Sequence, residues 1–231
     1  MNSMKKLLTI ILIFLFQFLI AQTNSATVIY KINLNKDSIH NVSNKFVKEM
    51  MEQSDSVYAT LKFNSKESNY YLDFNISKMY GKPNLTRIFG GSNNLIYYNQ
   101  ESKEYLCETL FVLDYPVIIS KEPIEWEISN EETKLINGYL CKKAIRKRSE
   151  INDAGLAKKA ELTAWFCPEI PFNFGPERFH GLPGLVLECK SNIVKFELEK
   201  ITWHKEELEI NKPNSGEIIS EEEFKNRAGR F

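Results

Sequence analysis

Histidine is scarce in these 231 residues: only His40, His180 and His204 could carry imidazole chemistry. His180 is the one set among other chemically able groups, with Glu177 shortly before it and Glu188 shortly after. A general acid or base needs a partner within hydrogen-bond reach, and a lone histidine in a loop does not establish one. His40 and His204 stand in no metal-ligand spacing. The chain has no zinc-protease helix motif, Gly-x-Ser-x-Gly elbow, phosphate-binding glycine loop or Cys-x-x-Cys pair. No catalytic residue, metal ligand or cofactor is therefore assigned. The alternative is a metal- or thiol-dependent secreted enzyme centred on His180, with Glu177 and a free cysteine.

Cys107, Cys141, Cys167 and Cys189 are the remaining reactive groups. Four cysteines allow three pairings, and all four are disulfide candidates in an oxidising compartment. If Tyr139 to Lys147 and Glu161 to Cys167 form a hairpin around Asn152-Asp153-Ala154-Gly155, Cys141 falls opposite Cys167. Cys107 and Cys189 would then form the other pair, but a register slip of one residue would undo the first.

The compartment follows from the N-terminus. Lys5 and Lys6 precede an apolar run from Leu7 to Ile20, and Ala21 stands before Gln22-Thr23-Asn24. That order describes a secretory signal peptide over residues 1–21, cut after Ala21; the run is short for a membrane span. Residues 22–231 then form a single β-rich domain with no transmembrane span, in the periplasm, at the outer-membrane periphery or outside the cell. Losing Lys5 and Lys6 from 30 basic residues, against 30 acidic ones, leaves the mature chain near neutral. It carries no electrostatic footprint for nucleic acid, and the cluster Lys142, Lys143, Arg146, Lys147, Arg148 reads as a solvated strand face.

Alternation of apolar and polar residues dominates the chain. Val28, Tyr30, Ile32 and Leu34 share one face of a first strand, and Val57, Ala59, Leu61 and Phe63 share one face of the next. Between them, Asn41 to Gln53 reads as a helix with Ser43 as N-cap and Phe46, Val47, Met50 and Met51 as its core face. Strands follow at 69–74, 95–98, 104–113, 126–128, 134–136, 139–147, 161–167, 185–189 and 194–201, and the tail from Glu217 reads as a short helix or a frayed end. Strands joined by short turns imply a mainly β fold: a curved or rolled antiparallel sheet, half-barrel or sandwich-like, with one or two short helices.

Turn-forming residues concentrate between Ala164 and Cys189. Pro168, Pro171 and Pro176 stiffen the approach, Phe172, Phe174 and Phe179 offer aromatic anchors, and Pro183-Gly184 suits a type II turn between Leu182 and Leu185. Gly181 is a place where backbone could approach backbone closely. Gly181-Leu182-Pro183-Gly184-Leu185-Val186 resembles the defining motif of the GLPGLI family of secreted Bacteroidetes proteins, with Val186 where the name has its final isoleucine. The stretch Ile136 to Ala144, Ala164-Trp165-Phe166, Glu169-Ile170-Pro171 and Gly175-Pro176 extend the likeness. The resemblance implies an exported β protein without an established reaction.

Together these features point to a non-enzymatic exported protein that binds a partner protein or an apolar ligand. Phe172, Phe174, Phe179, His180 and Leu182 are the expected contact residues, and Gly181, Pro183 and Gly184 the structural motif.

Overall fold

The computed structural model describes residues 24–35, 42–72, 84–91, 95–109, 115–151 and 157–228. The expected leader and the 152–155 turn lie outside these, as do Phe111 and Leu113. Twelve strands form one continuous sheet: β1 (Ser25–Leu34), β2 (Val57–Phe63), β3 (Glu67–Leu72), β4 (Leu95–Asn99), β5 (Glu104–Thr109), β6 (Val117–Lys121), β7 (Glu127–Ile136), β8 (Tyr139–Ile151), β9 (Ala157–Cys167), β10 (Leu185–Lys190), β11 (Val194–His204) and β12 (Glu217–Ser220). Their spatial order is β12-β6-β5-β4-β3-β2-β1-β11-β10-β9-β8-β7. The helices are α1 (Lys45–Glu52), α2 (Leu85–Phe89) and α3 (Glu221–Ala228).

The mainly β expectation holds, with three short helices among the described residues where one or two were expected, and with one difference in strand direction. All neighbouring strands are antiparallel except β12, which runs parallel to β6. The cause is the segment 205–216. After β11 it crosses the outer face of the sheet, where Leu208 and Ile210 pack on Tyr97, Leu106 and Ile118. Asn69 fixes the strap by donating to the Asn211 carbonyl and accepting from the Asn211 amide, each at 3.1 Å. Asn64 donates to the Leu208 carbonyl at 3.1 Å. The strap thus delivers the chain to the far edge in the same direction as β6, so that Glu217 to Ser220 become strand before the short helix expected of the tail forms over Glu221–Ala228.

The connection from β6 to β7 sets the curvature. These strands lie next to one edge of the sheet and at the opposite edge, yet only residues 122–126 join them. Such a link spans roughly 20 Å at full extension. The sheet must therefore roll until its edges nearly face each other across a seam, assisted by bulges between Ile29 and Tyr30, Val186 and Glu188, and Ile128 and Thr133. The last of these lies within one strand, β7, where two short strands were expected.

Alternation places the core on the inner face, as expected for β1 and β2: Val28, Tyr30, Ile32, Ala59, Leu61 and Phe63 are fully buried. Helix α1 departs from its expectation. Asn44, not Ser43, is the N-cap, accepting from the amides of Phe46 and Val47. Only Met51 is buried, while Phe46 is 69% exposed and Val47 37%. The helix begins one residue later than Ser43 capping requires.

Candidate functional site

The segment between β9 and β10 fills the rolled sheet from within. Proline stiffens it, but the sheet's inner face decides its position: the Phe174 ring lies 5.3 Å from Phe63 and 6.3 Å from Tyr98, and Phe179 lies 5.8 Å from Phe196 and 5.9 Å from Trp126. Backbone hydrogen bonds tie the segment to itself and to β10. The Gly181 amide donates to the Asn173 carbonyl (2.8 Å), Val186 to Phe174 (3.0 Å) and Leu185 to Ile170 (2.9 Å). From β1 the Tyr30 hydroxyl donates to the Val186 carbonyl at 2.5 Å, and from the 122–126 link the Trp126 indole donates to the His180 carbonyl at 2.9 Å.

Pro183-Gly184 does not form the expected type II turn. The Leu182 carbonyl accepts from Gly184 (2.8 Å), while the Leu185 amide that a type II turn would use is engaged by Ile170. Glycine is needed at 184 for space: a Cβ there would stand 2.2 Å from the Cys167 carbonyl oxygen. The closest backbone approach is at Gly175, where a Cβ would meet the Phe179 carbonyl at 1.9 Å. At Gly181 a Cβ would meet nothing closer than the Tyr98 hydroxyl at 3.7 Å, an ordinary contact, and glycine is required by its φ of +82° instead.

Four of the five expected contact residues are enclosed. Phe174, Phe179, His180 and Leu182 are no more than 1% exposed, and Phe172 is half-buried against Phe63 and Trp203. His180 stacks on Tyr98 with ring centroids 3.9 Å apart and meets the edge of Tyr105 at 4.3 Å. Neither of its ring nitrogens has a hydrogen-bond partner in the protein, and neither does the buried Tyr105 hydroxyl. Burial, seconded by the charge of Lys121, lowers the His180 pKa to about 3 and keeps the ring neutral.

The neighbouring carboxylates are committed elsewhere. Glu177 holds the Arg178 guanidinium at 2.7 Å, and Glu188 accepts from Lys134 at 2.6 Å with Lys195 at 3.6 Å. Among the described residues no group of three His, Cys, Asp or Glu side chains could hold a metal ion.

The disulfide expectation is corrected: all four cysteines are buried free thiols. The hairpin register is as expected, because Lys142 pairs with Phe166 and one step further brings Cys141 opposite Cys167. The Cys141 thiol turns instead towards the Tyr139 carbonyl, 3.7 Å away. Cys107 and Cys189 sit on β5 and β10, with β4, β3, β2, β1 and β11 between them in the sheet. Burial pushes the Cys141 thiol up to about 12 and raises Cys107, Cys167 and Cys189 as well, so none is activated as a nucleophile.

Two surface features escaped the sequence reading. One is the seam, whose sides come from β5, β6, β8, α3 and the 122–126 link. The other is a set of exposed apolar side chains on α1 and α2: Phe46, Val47, Ile88 and Phe89 are 69%, 37%, 52% and 40% exposed. The helices are joined by the Ser54 hydroxyl accepting from the Leu85 amide and by Asn84 donating to the Asp55 carbonyl. Phe46-Val47 and Ile88-Phe89 are visible in the sequence, but only their exposure separates them from core residues.

A family model described as "Protein of unknown function (Porph_ging)" matches residues 146–188, the stretch from β8 through β9 to β10. No curated protein matches the chain. Two solved structures of PNGF-II share its fold: one at TM-score 0.53 and 14% identity, covering 90% of this chain and 34% of that one, the other at 0.56 and 16%, covering 89% and 33%. This chain thus spans about a third of their length. Similarity at this level is a statement about fold.

Proposed function

We propose that this chain is an exported, non-catalytic β-sheet protein of the GLPGLI kind that docks a partner protein through the apolar patch on α1 and α2. In this reading residues 1–21 are removed as a leader, and residues 22–231 act as one domain in the periplasm or at the periphery of the outer membrane. The exposure of Phe46, Val47, Ile88 and Phe89 on two joined helices carries the proposal. Clustered exposed apolar side chains of this size mark interaction surfaces. Phe174, Phe179 and Leu182, the apolar contact residues expected from the sequence, are buried and present no surface to a partner. These residues hold one wall of the domain in shape from within, with Phe172 at its margin. The enzyme alternative has no such support, since the carboxylates nearest His180 in sequence are bonded to other groups.

A photo-activatable residue placed at position 46 or 88 in the native host tests the reading. An adduct is expected at both and none at exposed Lys200, and Phe46→Ser with Ile88→Ser should abolish the adduct with little change in Tm. No adduct at 46 and 88, or equal adducts at all three positions, would refute it.

A further inference from the structure

The seam encloses an unusual combination of groups. It forms an open recess of about 290 Å³ whose lining includes Tyr105, Lys121, Glu122, Arg146, Arg178 and Glu221. These come from both sides of the opening: Tyr105 and Lys121 from β5 and β6, Arg146 from β8, and Glu221 from the start of α3. Tyr105 and Lys121 are register partners, and the Lys121 ammonium sits 5.5 Å from the Tyr105 ring centre. Arg146 lies on the same face of β8 as buried Ala144.

The charges at the mouth do not cancel. Arg178 is neutralised by Glu177, and Glu221 faces Lys225 at 3.2 Å. Lys121 and Arg146 have no ion-pair partner among the described residues, which leaves two cations beside the single carboxylate Glu122. Tyr105 lines the recess with its hydroxyl unpartnered in a residue 3% exposed, and beneath it, with ring centroids 4.3 Å apart, lies His180, 1% exposed and outside the lining, whose nitrogens are also unpartnered. Buried polar groups are nearly always hydrogen-bonded, so an unpartnered phenol in the lining of a charged recess, backed by an unpartnered imidazole, points to a ligand that supplies the missing bond at Tyr105. A neutral imidazole offers one donor and one acceptor, and a phenol offers a donor.

We propose that this recess binds a small molecule bearing an oxyanion, phosphate or carboxylate, held between Lys121 and Arg146 with its polar remainder directed towards Tyr105 and His180. Nothing in this depends on the α1–α2 patch. Lysine as a point charge and arginine as a planar fork are the side chains suited to oxyanions.

Inorganic phosphate and acetate, titrated separately at constant ionic strength and followed by NMR of the His180 and Tyr105 ring protons, serve as probes of the two oxyanion classes. A saturable shift of both rings with at least one probe is expected, and the responding probe identifies the class. Lys121→Gln with Arg146→Gln should weaken it at least about tenfold, while Lys142→Gln with Lys143→Gln leaves it unchanged. Should the Arg146 variant fail to fold, Lys121→Gln alone decides. No saturable shift with either probe, or undiminished affinity in Lys121→Gln, overturns the assignment.

Discussion

His180 sits against the two tyrosine rings as a neutral aromatic side chain, and that neutrality makes the domain sensitive to acid. The unfolded chain titrates the imidazole near 6.5, whereas the folded chain resists protonation until about pH 3. The unfolded state therefore binds a proton that the folded state refuses, so this contribution is intact above about pH 6.5 and is lost as the pH falls towards 3. At about pH 4 the loss is on the order of 3 kcal/mol. His180→Phe keeps an aromatic ring between Tyr98 and Tyr105 and removes the titration. Thermal unfolding should show a variant close to the parent at about pH 7 and clearly more stable at about pH 4. An unchanged acid limb would show that His180 is not the group responsible. The sequence singled out His180 by the residues around it, but nothing in those neighbours distinguishes a catalytic imidazole from a packed one. That distinction lies in Tyr98 and Tyr105, which are distant in the chain and reach His180 only after folding.

At the scale of elements, alternation made most of the sheet legible, because a strand with one buried face writes its period into the residues themselves. β1, β2 and the Cys141–Cys167 register could be read this way. The strap and β12 could not: Leu208 and Ile210 look like any two apolar residues in a polar tail until the outer face of β4, β5 and β6 is present to receive them. The strap's grip depends on Asn69, 7% exposed, whose side chain both donates to and accepts from the backbone of Asn211. Asn69→Ala should cost about 2 kcal/mol by losing both bonds and leaving the backbone groups of Asn211 without them. Urea unfolding measures this directly. A loss below about 0.5 kcal/mol would mean that the strap is held by Leu208 and Ile210 alone.

On the scale of the molecule, the decisive fact is topological. β6 and β7 belong to opposite ends of the sheet but are joined by a short link, so the sheet must roll and leave a seam. The curvature was expected from the succession of strands, but the seam was not, because no local signal says which strand will be the last to pair. The same roll creates an interior too wide for the strands' own side chains, and the 168–184 segment supplies the missing volume with Phe174, Phe179 and Leu182. This segment is therefore part of the core, and the two sites proposed for recognition, on the helices and at the seam, both lie on the surface. Native-state hydrogen exchange of the Gly181, Leu185 and Val186 amides tests that claim most directly, since each bond that protects them ties the segment in place. The three should exchange only with global unfolding, with the same free energy as the amides of β1 and β11. Exchange several kcal/mol easier than that of β1 and β11 would mean that the segment leaves the interior on its own, and would contradict the account.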